Sequence, residues 1–280
     1  WGNATATLRW NHLYSNRLFS NTSLIYSNYN YVIENFIEEN NFKVSSSIRD
    51  LNLKQDFQLS LSNSHNLRFG LDMVNHRIAP GSITSSAGSN VNEETIERRK
   101  GIEVSAYVSD EWEINDKFNI VYGLRASSFF LRGPGIFNNY DLEGRVSSSR
   151  SYGSGELVKN YFRLEPRLSA SYLLSEYSSL KVSYTRNSQN LHLMSNSTAS
   201  SPTDLYIMSS NNVKPEIADQ VAGGYFRNFN EDKYEFSAEV YYKTMLNQIE
   251  YRSGTDLRGN RNVEADLLYG EGRAYGIELY

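Results

Sequence analysis

From Asn160 to Asn187 the chain alternates apolar and polar residues almost without a slip. Phe162, Leu164, Pro166, Leu168, Ala170, Tyr172 and Leu174 take one parity; Arg163, Glu165, Arg167, Ser169 and Ser171 take the other. After the turn Ser175–Ser178 the pattern resumes, with Leu180, Val182 and Tyr184 against Lys181, Ser183 and Thr185. Successive side chains of a strand point to opposite faces, so this segment predicts a hairpin with one apolar and one polar face. Its strands are long. Strands of soluble sandwiches run about 5–6 residues, whereas a tilted strand crossing a bilayer needs about 9–11. The expectation is an antiparallel transmembrane β-barrel wall, aliphatics toward lipid and charges toward a wet lumen.

The same code recurs along the chain. Ala4, Ala6, Leu8 and Trp10 oppose Thr5, Thr7, Arg9 and Asn11, and a blurred strand follows from Leu18 to about Ile33. Leu51, Leu53, Phe57, Leu59 and Leu61 oppose Asp50, Asn52, Lys54, Asp56, Gln58 and Ser60, with Gln55 the one break. Leu67, Phe69, Leu71 and Met73 continue the outward type. Val104, Ala106, Val108, Trp112 and Ile114 oppose Ser105, Tyr107, Ser109, Glu111 and Glu113. Phe118 to Ala126, Ile217–Phe229, Tyr234 to Tyr242 and a last strand up to Tyr280 complete the set.

Short turns at 14–17, 62–65, 115–117, 175–178 and 230–232 alternate with connections at 33–41, 79–100, 133–159, 188–216 and 253–265. Short periplasmic turns and longer extracellular loops are the habit of outer-membrane barrels, which places the first set in the periplasm and the second outside. About eleven strands are expected, an odd number, whereas single-chain bacterial barrels close with an even one. Residues of Tyr280 parity are Glu278, Gly276, Ala274 and Gly272, not a lipid-facing row. Tyr280 therefore reads as a cut within a larger barrel. The opening WGNATATLRW has neither basic nor apolar signal-peptide regions, so the chain reads as starting well after a leader. Pro166, within a strand, predicts a bulge or a site near the outer rim.

Composition adjusts this picture little. Hydrophobic residues make up 39% of the 280, and no run reaches the eighteen or so apolar residues of a membrane helix. The 21 Tyr, 13 Phe and 3 Trp suit interfacial aromatic girdles, although tyrosine is also a good strand former. A net charge of −4 without a basic cluster excludes nucleic acid as a partner. The absence of cysteine excludes disulfides and thiol chemistry.

Several segments resemble the barrel of TonB-dependent outer-membrane receptors. They are Tyr107-Val108-Ser109-Asp110-Glu111-Trp112 followed by Val121-Tyr122-Gly123-Leu124-Arg125, then Glu165-Pro166-Arg167-Leu168 with Tyr172, and Ser183-Tyr184-Thr185-Arg186. Asn212-Val213-Lys214-Pro215-Glu216 and Gly272-Arg273-Ala274-Tyr275-Gly276-Ile277-Glu278 complete the series in family order. The resemblance implies about half of a 22-strand barrel. It also implies an outer-membrane location, a plug domain and closing strands beyond this chain, and energy from the TonB complex through a region preceding the plug. The implied cargo is scarce and large: ferric siderophore, haem, cobalamin, glycan or peptide. The alternatives are a passive porin and a secreted β-rich surface adhesin, with an outer-membrane lipase more distant.

Lys54, Asp56, Glu111, Arg125, Arg163, Glu165 and Arg167 are the lumen-facing candidates, together with Glu113. They either bond a plug and line a solute path or satisfy each other and water. In Ser188–Val213, His192, Met194, Tyr206 and Met208 are the candidates for an extracellular ligand; the alternative is a folded loop burying its few apolar residues. His12, His65 and His76 are scattered, no HExxH or G-x-S-x-G motif occurs, and neither an enzyme nor a metal or other cofactor is expected.

Overall fold

The computed structural model of the chain describes residues 1–36, 41–85, 90, 93–141, 143–194, 204–231, 233–252 and 262–280. Its strands are β1 (Gly2–Leu13), β2 (Leu18–Asn35), β3 (Phe42–Ser60), β4 (His65–Ser85), β5 (Glu94–Thr95), β6 (Arg99–Asn115), β7 (Phe118–Arg132), β8 (Gly135–Tyr140), β9 (Val146–Tyr152), β10 (Leu157–Ser175), β11 (Ser178–Gln189), β12 (Leu191–Met194), β13 (Leu205–Met208), β14 (Glu216–Phe229), β15 (Tyr234–Tyr251) and β16 (Leu267–Leu279). Eleven of them form one antiparallel meander, β1-β2-β3-β4-β6-β7-β10-β11-β14-β15-β16, with β5 paired to β4. Sheet order follows chain order, short turns alternating with longer connections.

Register converts the sequence alternation into rows. Leu8, Leu24, Leu53, Met73, Val104, Ser128 and Phe162 are cross-strand partners in one line from β1 to β10. Two residues further toward the short turns lie Trp10, Thr22, Gln55, Leu71, Ala106, Ala126 and Leu164. Among the described residues no second layer covers this apolar face, and Leu8, Leu53, Leu71, Val108 and Val182 are all exposed on it. Gln55, the break in the alternation of β3, is satisfied on that face: the Thr22 hydroxyl donates to its side-chain oxygen at 2.5 Å.

On the β14–β15 turn, Asn230 and Glu231 have φ of 54° and 56°. Left-handed values at successive positions suit a tight hairpin whose twist matches its strands. Gly70 marks a different need. A Cβ there would collide with the Gln55 carbonyl and the Tyr107 ring, so glycine lets that ring lie flat over β4.

The connections expected at 79–100, 133–159 and 188–216 are more structured than their composition implies. β4 continues to Ser85 and β6 opens at Arg99; β8 pairs with β9, and β12 with β13. These hairpins escape the periodic code because they pack on one another instead of standing between an apolar and a polar medium. Pro166 carries no register shift; the shifts on β10 fall at Leu157/Lys159 and Leu173/Ser175. Instead, the β10–β11 ladder ends at Arg167↔Thr185, one residue past the proline. Proline has no N–H to extend a ladder.

The buried core lies at the loop end, on the polar face. Ile48, Ile78, Phe129 and Leu131 from the sheet meet Phe137 and Met208 from the loop hairpins. Beside them Ile96, Met194, Leu205, Ile207, Val213, Val263 and Leu267 form a second cluster.

Candidate functional site: the polar face and its loop cap

Alternation puts every second residue of β3, β4, β6, β7 and β10 on the polar face, and register then sets them side by side. Asp56, Gly70, Tyr107, Arg125 and Glu165 form one cross-strand row. Lys54, Asp72, Ser105, Ser127 and Arg163 form the next, toward the loops; Gln58, Arg68, Ser109, Gly123 and Arg167 lie on the other side. Glu111 is one row nearer the short turns, between Asn66 and Val121. Seven of the eight residues expected on the polar parity are therefore brought together into one patch, and the eighth, Glu113, lies one row further toward the short turns, opposite Asn119.

Opposite charges are interleaved across it. Lys54 Nζ lies 3.1 Å from Asp56 Oδ2, and the Tyr107 hydroxyl donates to Asp56 Oδ1 at 2.5 Å. Arg125 Nη2 reaches Asp72 Oδ2 at 3.4 Å, and Asn52 Nδ2 donates to the other oxygen at 3.0 Å. Arg68 approaches Glu111 at 3.6 Å. Glu165 is buried: its Oε1 accepts from the hydroxyls of Ser127 at 2.9 Å and Ser188 at 2.7 Å, and Arg167 lies 3.8 Å from Oε2. A carboxylate in a partly dry site needs such donors, since unpaired burial is costly. Arg163 is placed differently. It donates to the Phe162 carbonyl at 2.7 Å, and its Nε is enclosed without a partner among the described residues.

Sequence reasoning missed part of this network. His76 Nδ1 contacts Asp50 Oδ1 at 2.9 Å, and Asn190 Nδ2 donates to Glu103 Oε2 at 2.9 Å, both on the polar face. Parity identifies Asp50, Asp72 and Glu103 as inward residues, but only register reveals their partners.

The loop candidates are mostly interior. His192, Met194 and Met208 are buried; His192 Nε2 meets the Ser209 hydroxyl at 3.1 Å, and Nδ1 faces Glu216 Oε1 at 3.3 Å. Half-buried Tyr206 stacks edge-on against Tyr29, 6.0 Å between centroids. The loop stretches 195–203 and 253–261 lie outside the described residues.

Between the loop hairpins and β4 is a cavity of about 290 Å³. Ile78, Leu131, Phe137, Ile207 and Met208 supply its apolar lining, and Glu97, Arg99, Tyr140, Asn211 and Glu264 its polar groups. Arg99 lies 4.2 Å over the Phe137 ring and donates to Glu97 Oε2 at 2.6 Å. Glu264 accepts from Ser210 Oγ at 2.9 Å and Asn212 Nδ2 at 2.6 Å. Burial pushes the Tyr140 hydroxyl above its ordinary range, so it stays a neutral donor, here to Asn262 Oδ1 at 3.2 Å. Among the described residues, no group of three or more His, Cys, Asp or Glu side chains could hold a metal ion.

Residues 1–280 match the family described as TonB dependent receptor-like, beta-barrel. The chain belongs to that family. Solved structures share its fold at low identity. The copper transporter OprC superposes with a TM-score of 0.68 at 13% identity, over 99% of this chain and 44% of that one. The ferric-catecholate import receptor Fiu of E. coli gives 0.62 at 14% identity, covering 99% and 44%. The pyoverdine outer membrane receptor FpvA of Pseudomonas aeruginosa, bound to pyoverdine, gives 0.63 at 13%, covering 99% and 41%. No curated protein matches the chain by sequence. The chain thus spans less than half the length of these relatives, and its open meander of eleven strands is a corresponding portion of a barrel.

Proposed function

We propose that this chain forms part of the wall of an outer-membrane receptor that takes up a scarce, large solute with TonB-derived energy. In this reading the apolar face meets lipid, a plug domain occupies the lumen, and the loop end faces the exterior. The family match over the whole chain is the observation that carries it. The two-faced sheet agrees, because only a barrel in a bilayer leaves so long a row of aliphatics without a covering layer.

The lumen patch of Lys54, Asp56, Glu111, Arg125, Arg163, Glu165 and Arg167 is assigned to contact with the plug. Arg163 and Arg167 are its most available donors, since neither is held in a close ion pair. The solute is assigned to the loop-end cavity. An aromatic and aliphatic floor with Arg99, Tyr140, Asn211 and Glu264 around it suits one polar organic portion of a larger solute, such as an edge of a ferric chelate. Of the four loop candidates, Met208 lines this cavity and Tyr206 is half-exposed, whereas His192 and Met194 support the loop from within.

The test uses cells that carry the complete receptor gene or an in-frame deletion. Uptake of radio-iron as ferric siderophores, and of haem, cobalamin and copper, is measured with and without functional TonB. Accumulation of one solute that requires both the receptor and TonB is expected. Influx that scales with solute size and ignores TonB would instead establish a passive pore.

A further inference from the structure

We propose that the outward face carries a binding site for a phosphorylated lipid of the outer leaflet, built from Arg49, Arg77, Lys100 and Arg132. The inference rests on the reading above that this face meets lipid. The four residues lie on adjacent strands β3, β4, β6 and β7 in direct register: Arg49↔Arg77, Arg77↔Lys100, Lys100↔Arg132. Neighbouring strands are about 4.8 Å apart, so the four attachment points span roughly 14 Å. All four share the parity of the apolar rows. One row toward the short turns lie Leu51, Asn75, Ile102 and Phe130, and then Leu53, Met73, Val104 and Ser128. The bases therefore stand at the loop-end margin of the apolar belt.

Like charges placed directly opposite on a sheet destabilise it. Elsewhere in this chain the problem is solved by interleaving. Lys54, Arg68, His76 and Arg125 on the lumen side each have a carboxylate within 4.0 Å. Even the outward Arg186 is held by Asp219 through two hydrogen bonds of 2.8 and 3.0 Å. None of the four row residues has such a partner among the described residues. Arg49 is fixed by Asn28, its Nε donating to Oδ1 at 3.2 Å, and the Nε of Arg132 is enclosed without an acceptor among the described residues.

An external polyanion satisfies this arrangement. Guanidinium groups bind phosphate oxygens through paired, charge-assisted hydrogen bonds. A row of this length fits a headgroup bearing more than one phosphate. A soluble polyanion is the weaker match, because the row adjoins surface that only acyl chains would cover.

The experiment uses the complete receptor containing this chain, purified in detergent, with R77Q/K100Q/R132Q and R77K/R132K variants. Binding of a bis-phosphorylated lipid A is counted by native mass spectrometry beside its monophosphorylated form and phosphatidylethanolamine. Each basic group near an anionic surface contributes about fivefold in affinity, so the triple variant should bind roughly a hundredfold more weakly. The lysine variant should retain binding, added salt should weaken it, and monophosphorylation should reduce it. In lipid-free detergent the triple variant should melt no lower than the parent, since it removes repulsion. Unchanged lipid A binding by the triple variant overturns the proposal. So does equal binding of soluble polyphosphate that competes lipid A away. Quenching of Trp10 and Trp112 by brominated phospholipid is followed in parallel, because both lie on the apolar face away from the row. Quenching with row-independent lipid A binding rejects the site alone; absence of quenching rejects the membrane reading beneath it.

Discussion

Placing an arginine at Val108, and separately at its neighbour Ser109, tests the two-faced sheet most directly. Val108 lies between Phe69 and Leu124 on the apolar face, proposed to be outward; Ser109 lies between Arg68 and Gly123 on the polar face, proposed to line the lumen. Trp112 follows Val108 by four positions and Lys100 precedes it by eight on β6. At about 3.4 Å per residue and a tilt of about 40°, Val108 is roughly 10 Å from the level of Trp112 and 20 Å from that of Lys100. The apolar band of such barrels is about 25 Å tall, so Val108 lies close to its middle. An arginine there should cost about 2–4 kcal/mol, and the same reasoning applies to Leu168→Arg. At about 3 kcal/mol the folded population falls more than a hundredfold relative to the unfolded one. Ser109→Arg, entering a wet lumen, should cost under about 1 kcal/mol. The measurement is reversible denaturant unfolding of the complete receptor in phospholipid vesicles, followed by tryptophan fluorescence. Equal costs for Val108→Arg and Ser109→Arg, or a larger cost at Ser109, would refute the assignment of faces.

Three further outcomes follow from local geometry. Glu165→Ala removes the acceptor shared by Ser127 and Ser188, and should cost about 2–3 kcal/mol with faster amide exchange in upper β10 and β11; unchanged protection there would contradict the bridging role. Gly70→Val drives the Tyr107 ring off Asp56 and should destabilise by about 1–3 kcal/mol in denaturant unfolding, so a cost indistinguishable from zero would mean the ring has room to move. In the β8–β9 turn, the backbone N–H of Arg145, followed by its guanidinium, holds the Asp141 carboxyl below the usual carboxylate range. A depressed folded-state value means stability that is present above the ordinary carboxylate range and lost as pH falls through the lowered one. Acid should therefore open this turn in the parent and have little effect on the turn in Asp141→Asn, read by amide exchange between pH 7 and about 2.

The regular part of the fold was legible because two different media enforce it. Where one face meets an apolar phase and the other water, every second residue is constrained, as in β3, β6, β7 and β10. The parity of Lys54, Asp56, Glu111, Arg125, Arg163, Glu165 and Arg167 could be read for the same reason. Their partners could not. Asp72 beside Arg125, or Ser188 beside Glu165, depends on how strands far apart in sequence align, and alternation is silent on register. The loop hairpins β8–β9 and β12–β13 were illegible for the opposite reason. Their residues pack against each other at the loop end, so Ser, Asn and Gly in strands looked like connection. His192 shows the consequence: its side chain suggests chemistry, and its position makes it a support for Ser209 and Glu216.

Pro166 shows how a local rule can fail in its detail and still mark the right place. A proline inside a sheet must give up a ladder bond, and a bulge is the usual accommodation. Here the strand keeps its register to β7 on both sides of the proline, from Lys159 to Tyr172, and the whole defect is transferred to β11. Beyond Arg167↔Thr185 the two strands no longer pair, although β11 continues alongside β14 up to Gln189. A gap between wall strands near the loop end would leave backbone groups open in a medium with little water. Glu165 stands at that point, its carboxylate spanning from Ser127 on β7 to Ser188 on β11. Side-chain hydrogen bonds to this buried acid link the strands where the proline removes a backbone donor and the ladder stops. This explains why the least exposed acid of the lumen patch is the one next to its proline, and why it belongs to the architecture of the wall as much as to anything the lumen holds.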